Sequence, residues 1–195
     1  SHGDDEIFSM GQMVEWFDLD HVSRSPARFD PEKLLWLNQH YLKALDDGRL
    51  AELAAPFFAV RGYDTAAGPD LRAVVGLLKE RVSTLQQLAA AADYFYRAVE
   101  PSDATRKQYY AAEARPALTS LRDRLASVDW QRETIHDALK SAVAEYKLKF
   151  PKIAMPLRVM VAGVAQTPSI DATLKLIGRE QVLQRMSCEL RHFPE

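Results

Sequence analysis

Apolar residues recur at helical spacing along almost the whole chain, and this periodicity limits the fold more than any other feature. One stretch follows the i, i+3, i+4, i+7, i+11 pattern of a single helix face: Leu71, Val74, Val75, Leu78 and Val82. An earlier stretch places four residues on one face: Leu34, Leu37, Tyr41 and Leu45. Glycine is scarce, with only 8 among 195 residues, which argues against a glycine-rich β architecture. The sequence therefore predicts an all-α protein.

Helix starts and breaks divide this pattern into elements. Asp30 precedes Pro31, and Asp70 closes a Gly-Pro-Asp turn, so both aspartates are expected to cap helices. Gly48 is expected to end or interrupt the helix that begins at Pro31. The residues 158–162, Arg-Val-Met-Val-Ala, taken alone indicate a strand. Because a lone strand cannot satisfy its backbone hydrogen bonds and no partner is recognisable, we predict helix there.

The strongest break in the helical pattern is at Glu100-Pro101-Ser102, where a proline is followed by a residue suited to helix capping. We therefore expect two successive helical subdomains, arranged as a bundle or an α-helix cage, at residues 26–100 and 101–195. Residues 1–25 would form a separate N-terminal segment. The junction at residues 100–102 is expected to be a hinge that few contacts cross.

Composition excludes several classes of protein. No apolar run approaches the roughly 18 residues of a membrane span, and the polar start at residues 1–6 does not resemble a signal peptide. The single cysteine, Cys188, excludes an internal disulfide and a cysteine-rich zinc site, so we expect a cytoplasmic protein without a metal. The five histidines are scattered and no glycine-rich phosphate loop is present. The sequence offers no candidate catalytic centre.

Positive charge is concentrated in one short segment, although the net charge of the chain is −2. Lys147, Lys149, Lys152 and Arg158 fall within it, with no acid among them. A turn of small residues follows at 163–168, and helical spacing then resumes. Lysines at such a site can hold phosphates without reading sequence. A solvated helix end explains the same lysines equally well.

This segment and the helix after it resemble the C-terminal end of bacterial glutamyl-tRNA synthetases. The matching residues are Pro156-Leu157-Arg158, Gly163, Thr167-Pro168 and Leu176-Ile177-Gly178-Arg179-Glu180. Residues 24–38 resemble the family's Phe-Asp-x-x-Lys-Leu-x-Trp-x-Asn block, and Arg81 stands two residues before a Ser-Thr-Leu triplet, as in the family. Residues 1–8 resemble the sequence just after the family's catalytic and signature-loop domains, so residues 1–25 would be the tail of its stem-contact region.

The resemblance implies that Arg81 and Arg158 contact the anticodon, with Thr167, Pro168 and Ile170 beside them. A guanidinium suits this task, because its flat fork can both hydrogen-bond to an unstacked base and stack on it. The threonine is expected to offer a hydroxyl, and the proline and isoleucine apolar surface. All five residues should then lie on one face of the fold.

The resemblance also implies contacts to the tRNA backbone, which we assign to Lys33, Lys147, Lys149 and Lys152. For the apolar residues of the 24–38 block, packing into the core is the open alternative to a place at the interface.

A whole enzyme of this family attaches glutamate to tRNA with ATP and magnesium, using His-x-Gly-His and Lys-Met-Ser-Lys-Ser-like motifs. Both motifs are absent, and Arg185-Met186-Ser187 bears only a slight likeness to the second, within a helical stripe. We expect an inactive fragment of the ligase, without a cofactor of its own, that binds tRNA(Glu) as a monomer and binds neither DNA nor a membrane. The sequence leaves open whether the parent also charges the glutamine tRNA. The alternative is a helical protein–protein interaction module.

Overall fold

The computed structural model describes residues 6–21 and 28–194, and this part of the chain is almost entirely helical. Its α-helices are α1 (Met10–Trp16), α2 (Pro31–Ala44), α3 (Asp47–Val60), α4 (Leu71–Leu78), α5 (Leu85–Ala91), α6 (Asp93–Tyr96), α7 (Asp103–Tyr109), α8 (Arg115–Ser127), α9 (Arg132–Glu145), α10 (Phe150–Ala162), α11 (Ile170–Ile177) and α12 (Arg179–Glu189). Short 3-10 turns lie at Leu19–His21, Lys79–Arg81, Ala112–Ala114 and Leu190–His192. No strand occurs in the described ranges, which confirms the predicted all-α class.

Parts of two sequence blocks fall outside these ranges. Residues 1–5 belong to the segment 1–8 and residues 24–27 to the segment 24–38, both of which resemble the family. Neither range is described. The expected boundary between residues 25 and 26 also lies outside the described residues. None of the described helices is long and apolar enough to cross a membrane.

Side-chain caps start the helices largely where the sequence predicts. The Asp30 carboxylate accepts hydrogen bonds from the first-turn backbone of α2, at 3.0 Å from Glu32 N and 3.2 Å from Lys33 N. Asp70 caps α4 in the same way. The prediction for Gly48 is wrong, because α2 already ends at Ala44 and Gly48 lies in the first turn of α3. Asp46 caps α3 by accepting from Gly48 N at 2.8 Å.

The ambiguous residues 158–162 are helical, as predicted, and form the last turns of α10. Burial explains why β-branched side chains are tolerated here, since tertiary packing overrides weak helix propensity. Val159, Met160 and Val161 are each no more than 1% exposed. The helix ends at Gly163, whose φ of +73° places it in the left-handed region that favours glycine.

Helices α10 and α11 lie at the centre of the fold. α10 contacts α7, α8, α9 and α12 on one side and α6 on the other, while α11 contacts α9 and α12 and also α4 and α6. The buried residues form a single hydrophobic cluster that runs from Leu42 in α2 to Phe193 near the end of the chain. The region around the cavity described below is therefore built by helices from both parts of the chain.

The first two helices present apolar residues to solvent. In α1, Met10 is 75% and Val14 72% exposed, and in the 28–38 stretch Phe29 is 72% and Leu34 52% exposed. The apolar residues of the 24–38 block that the structure describes are therefore not part of the core of this chain. Leu42 is the buried residue that ties α2 to the rest of the fold.

Candidate nucleic-acid interface

Arg81 stands at the end of a short turn that is held firmly to the neighbouring helices. The Lys79 ammonium donates to the Leu45 carbonyl at 3.0 Å and pairs with Asp47 at 2.8 Å, which fixes the turn Lys79–Arg81 after α4. Glu80 pairs with Lys43 at 3.4 Å. Because Glu80 is turned to another partner, the exposed Arg81 meets no carboxylate at ion-pair distance among the described residues.

Arg158 projects from α10 just before the chain reverses at Gly163. Its Nε donates a hydrogen bond to Thr167 Oγ1 at 3.1 Å. The Thr167 hydroxyl in turn donates to the Pro168 carbonyl at 3.0 Å, and this threonine is only 5% exposed. The reversal thus folds residue 167 back over Arg158. The threonine hydroxyl is engaged on both sides and orients the guanidinium, instead of being open as the sequence suggested.

Arg81 and Arg158 lie close enough for their positive charges to interact. Burial of the Arg158 guanidinium lowers its pKa, the nearby positive charge of Arg81 lowers it further, and Asp171 partly opposes both effects. Arg158 nevertheless stays charged near neutral pH, because the ordinary pKa of an arginine lies far above that range. Two neighbouring cations in a partly dry setting favour an electronegative ligand between them.

A cavity of about 410 Å³ opens beside Arg81. Arg158 does not line it, but its hydrogen-bond partner Thr167 directly precedes the wall residue Pro168. The cavity walls come from both parts of the chain: Arg81, Val82 and Tyr94 on one side, and Ala162, Gln166 and Pro168 on the other. Burial raises the pKa of Tyr94 to about 12, so its hydroxyl is neutral in the physiological range. The volume falls in the range of small-ligand sites, roughly 300–1,000 Å³. Mostly apolar walls with a few polar groups can bind the flat ring of a nucleotide base.

Ile170 occupies a different place from the one its sequence context suggests. Its side chain is 2% exposed and belongs to the hydrophobic core at the start of α11. The expectation that Ile170 offers apolar surface is therefore not met, because the isoleucine supports the turn from below. Pro168 is also buried, but it does line the cavity.

The lysines lie away from this site. Lys149 caps the opposite end of α10 from Gly163, and at 1.5 Å rise per residue it stands about 13 Å along the helix from Arg158. Lys147 and Lys149 are exposed, whereas Lys152 pairs with Glu113 at 3.1 Å. Lys33, on α2, pairs with Glu6 at 2.7 Å.

Tyr94 and Gln166 line the cavity, although the sequence gave no reason to select them. Helical periodicity carries no signal for a cavity between distant segments of the chain. Histidine, cysteine and acidic side chains form no cluster of three that could hold a metal within the described ranges.

Comparison with known proteins places the whole arrangement in a family. A family model described as "Anticodon binding domain" matches residues 49–190. The glutamate–tRNA ligase of Nitrosomonas europaea is 56% identical over 194 residues, which is 100% of this chain and 42% of that protein. The ligase of Burkholderia pseudomallei (strain 668) is 50% identical over 193 residues, 97% of this chain and 41% of that protein. The chain thus spans less than half the length of the curated relatives it matches.

Solved structures agree with these sequence relatives. The crystal structure of a glutamate tRNA ligase from Elizabethkingia meningosepticum superposes with a TM-score of 0.86 at 25% identity, covering 96% of this chain and 37% of that one. The glutamate–tRNA synthetase from Elizabethkingia anophelis gives a TM-score of 0.82. The resemblance stated from the sequence is confirmed by both kinds of comparison. The chain therefore belongs to the anticodon-binding domain family.

Proposed function

We propose that this chain reads the anticodon of tRNA(Glu) as part of a glutamate–tRNA ligase. The observation that carries the proposal is that Arg81 lines a cavity, while Arg158, from a distant part of the sequence, lies near Arg81 and is hydrogen-bonded to the residue before the wall residue Pro168. Anticodon bases are single-stranded, so a protein can splay them out and contact their edges and faces. The family match supports this reading over the alternative of a protein–protein interaction module.

The arginines take different roles in this proposal. Arg158 is fixed by Thr167 and partly buried, so its guanidinium is preorganised to hydrogen-bond to one base edge. Arg81 is exposed and has no carboxylate at ion-pair distance within residues 6–21 and 28–194, so it adapts to the ligand by stacking or by charge. Pro168 forms part of the cavity wall on which the base packs, and Ile170 supports the turn that carries it.

The lysines serve as contacts to phosphates and do not read sequence. Lys147 and Lys149 are exposed at the start of α10, where they can follow the tRNA backbone. Lys33 and Lys152 must first release Glu6 and Glu113, but these ion pairs are exposed and so are worth little.

The parent enzyme, in this proposal, is a cytoplasmic ligase that attaches glutamate to its tRNA with ATP and Mg²⁺. This chain carries neither ATP-binding motif of the family, so by itself it forms no glutamyl-adenylate. Glutamate-dependent pyrophosphate exchange by the purified chain, free of full-length enzyme, would contradict that statement. We further propose that the chain is monomeric, with subdomains at residues 26–100 and 101–195.

The decisive experiment separates reading from positioning. Arg158→Ala, Lys149→Ala and wild type are titrated with tRNA(Glu) and with the same tRNA carrying one altered anticodon base, at two salt concentrations. Loss of a base-reading arginine costs about 1–3 kcal/mol and reduces discrimination between the two RNAs. Loss of the exposed lysine weakens both RNAs alike and reduces the salt dependence. Equal losses on both RNAs for Arg158→Ala would show that Arg158 only clamps phosphate.

A further inference from the structure

Arg185 joins the two parts of the chain through backbone carbonyls. From the middle of α12, its Nη1 donates to the Tyr94 carbonyl at 2.8 Å and to the Val161 carbonyl at 2.5 Å. Its Nη2 donates to the Arg97 carbonyl at 2.9 Å. One guanidinium therefore contacts the residues around the end of α6 and the last turn of α10.

These carbonyls belong to helix ends, where backbone oxygens lack partners within the helix. Helix C-termini also carry partial negative charge, so a cation placed there stabilises them. Arg185 satisfies two such ends at once, and the fixed fork of a guanidinium suits this better than the single ammonium of a lysine. Replacement by an apolar side chain would leave two partly buried acceptors, the Tyr94 and Val161 carbonyls, and the exposed Arg97 carbonyl without this donor.

Both helix ends form walls of the cavity beside Arg81. Tyr94 lines one wall, and Ala162, the residue after Val161, lines the other. Immediately beyond Ala162 the chain turns at Gly163 towards Thr167, which holds Arg158. The contacts of Arg185 therefore fix the position of α10, which carries Arg158, relative to the wall that carries Tyr94. Arg81 is held separately, by the contacts of Lys79 with Leu45 and Asp47.

The guanidinium has no carboxylate within ion-pair distance among the residues that the structure describes. Burial lowers its pKa, and no acidic neighbour offsets this. A buried charge held by carbonyls alone is a costly arrangement for stability, since several kcal/mol of hydration are lost in general. We therefore interpret this arrangement as one that fixes the relative position of the ends of α6 and α10.

We propose that Arg185 is a positioning residue for anticodon reading, which sets the width of the cavity by joining the ends of α6 and α10. The inference rests on the proposed function, because it assigns a role in discrimination between anticodons. Arg185 does not itself touch the RNA in this scheme. Its loss should therefore alter which anticodon is preferred more than it alters the general affinity for RNA.

The test compares Arg185→Met and Arg185→Lys with two controls. Arg191→Met removes the same charge from an exposed position that makes no polar contact with another described residue. Glu189→Gln, one turn further along α12, disrupts a different buried contact and so controls for lost stability. All variants are assayed with tRNA(Glu) and with the transcript altered at one anticodon base, at a temperature where circular dichroism shows each fully folded.

Arg185→Met is expected to lower the ratio of the two affinities about 5- to 20-fold, while affinity for the altered transcript changes little. Arg185→Lys should recover part of the ratio, and both controls should retain it. Proteolysis between residues 98 and 102 should also become faster in Arg185→Met, because the junction is no longer held.

An unchanged ratio in folded Arg185→Met, or an equal fall in Glu189→Gln, would overturn the inference. If Arg185→Met does not fold, the test uses Arg185→Lys instead. A ratio of the two affinities equal to that of wild type in Arg185→Lys would likewise overturn the inference. Arg158→Ala separates this inference from the proposed function. If Arg158→Ala loses discrimination and the Arg185 variants do not, only the positioning role fails. If wild type shows no discrimination, both fail.

Discussion

Glu189 is the centre of a buried ionic contact whose removal should have a large, pH-dependent effect on stability. Its Oε1 accepts from Arg106 Nη2 at 2.9 Å, and its Oε2 accepts from Arg106 Nε at 2.9 Å and from the Tyr110 hydroxyl at 2.8 Å. The side chains of Glu189 and Arg106 are only 9% and 17% exposed. The contact joins α7 to the C-terminal end of α12, the helix that also carries Arg185.

The substitution Glu189→Gln keeps the shape of the side chain but removes its charge and replaces one acceptor with a donor. Removing one partner of a buried ion pair typically costs about 3–5 kcal/mol, because the other charge is left uncompensated. For a chain of this size each kcal/mol lowers Tm by roughly 2–4 °C, which gives a fall of about 6–20 °C. Urea unfolding followed by far-UV circular dichroism measures the free-energy loss directly.

The pH dependence identifies the cause of that loss. Burial would raise the pKa of the Glu189 carboxyl, but the hydrogen bonds from Arg106 and Tyr110 and the positive charge of Arg106 outweigh it and hold the pKa below 4.5. A lowered pKa in the folded state stabilises the fold above the unfolded value and loses that effect as pH falls through the folded value. The stability gap between wild type and Glu189→Gln should therefore be full at pH 7 and shrink below about pH 4.

Two results would refute the assignment of the loss to the ion pair, and a third would refute its size. One is a gap of equal size at pH 7 and at pH 3.5, which would mean that shape and not charge is responsible. The other is additive losses for Glu189→Gln and Arg106→Met in the double variant, since coupled partners must give a loss smaller than the sum. A cost below about 1 kcal/mol at pH 7 would likewise place the pair among weak surface contacts.

Three further outcomes are expected. Gly163→Ala should destabilise the protein by about 1–3 kcal/mol, because φ is +73° and the new Cβ would lie 2.5 Å from a Val99 methyl. Urea unfolding measures this loss. The double variant Gly163→Ala/Val99→Ala should recover the part of the loss that is due to the clash. Tyr94, whose pKa is raised to about 12, should contribute stability that is lost as pH rises from 10 to 12. Over that range the free energy of unfolding of Tyr94→Phe should therefore fall by about 2–3 kcal/mol less than that of wild type. Asp70→Ala should cost about 1 kcal/mol through the lost cap of α4, measured by thermal unfolding against wild type.

Local chemistry explains why much of the fold could be predicted from the sequence. Asp30 and Asp70 cap helices by hydrogen bonds to residues two and three positions later, so the signal lies within a few residues of sequence. The face of α4 was equally predictable, because Val74, Val75 and Leu78 are spaced at the period of the helix and all are buried. Gly48 was misassigned because its place in the first turn of α3 depends on capping by Asp46.

Features that depend on distant partners could not be predicted. Helical spacing shows that α2 has an apolar face, but it does not say whether anything covers it, and Leu34 is 52% exposed. Residue type suggested a free hydroxyl at Thr167, whereas the reversal at Gly163 turns that hydroxyl to Arg158. Arg185 gave no sequence signal at all, since its partners are carbonyls that any residue could supply.

The distribution of ion pairs reconciles a net charge of −2 with the proposed binding to RNA. Many cations are matched locally by carboxylates: Lys33 with Glu6, Lys43 with Glu80, Lys79 with Asp47, Arg132 with Asp171 and Lys152 with Glu113. Arg81 and Arg158 are exceptions, since neither has a carboxylate at ion-pair distance among the described residues. Asp171 attracts Arg158 at longer range but is already bonded to Arg132 at 2.9 Å.

This pattern favours selective over general affinity. Non-specific binding grows with the number of phosphates that free cations neutralise, and it weakens steeply with salt. A surface on which four of the nine lysines are paired with carboxylates gains less from that term, so RNAs of the wrong sequence are held more weakly than they would be by nine free lysines. Arg81 lines a cavity that admits a base and Arg158 lies near Arg81, and hydrogen bonds there are stronger because water is partly excluded. Discrimination can then arise at the cavity without a large background of indiscriminate binding.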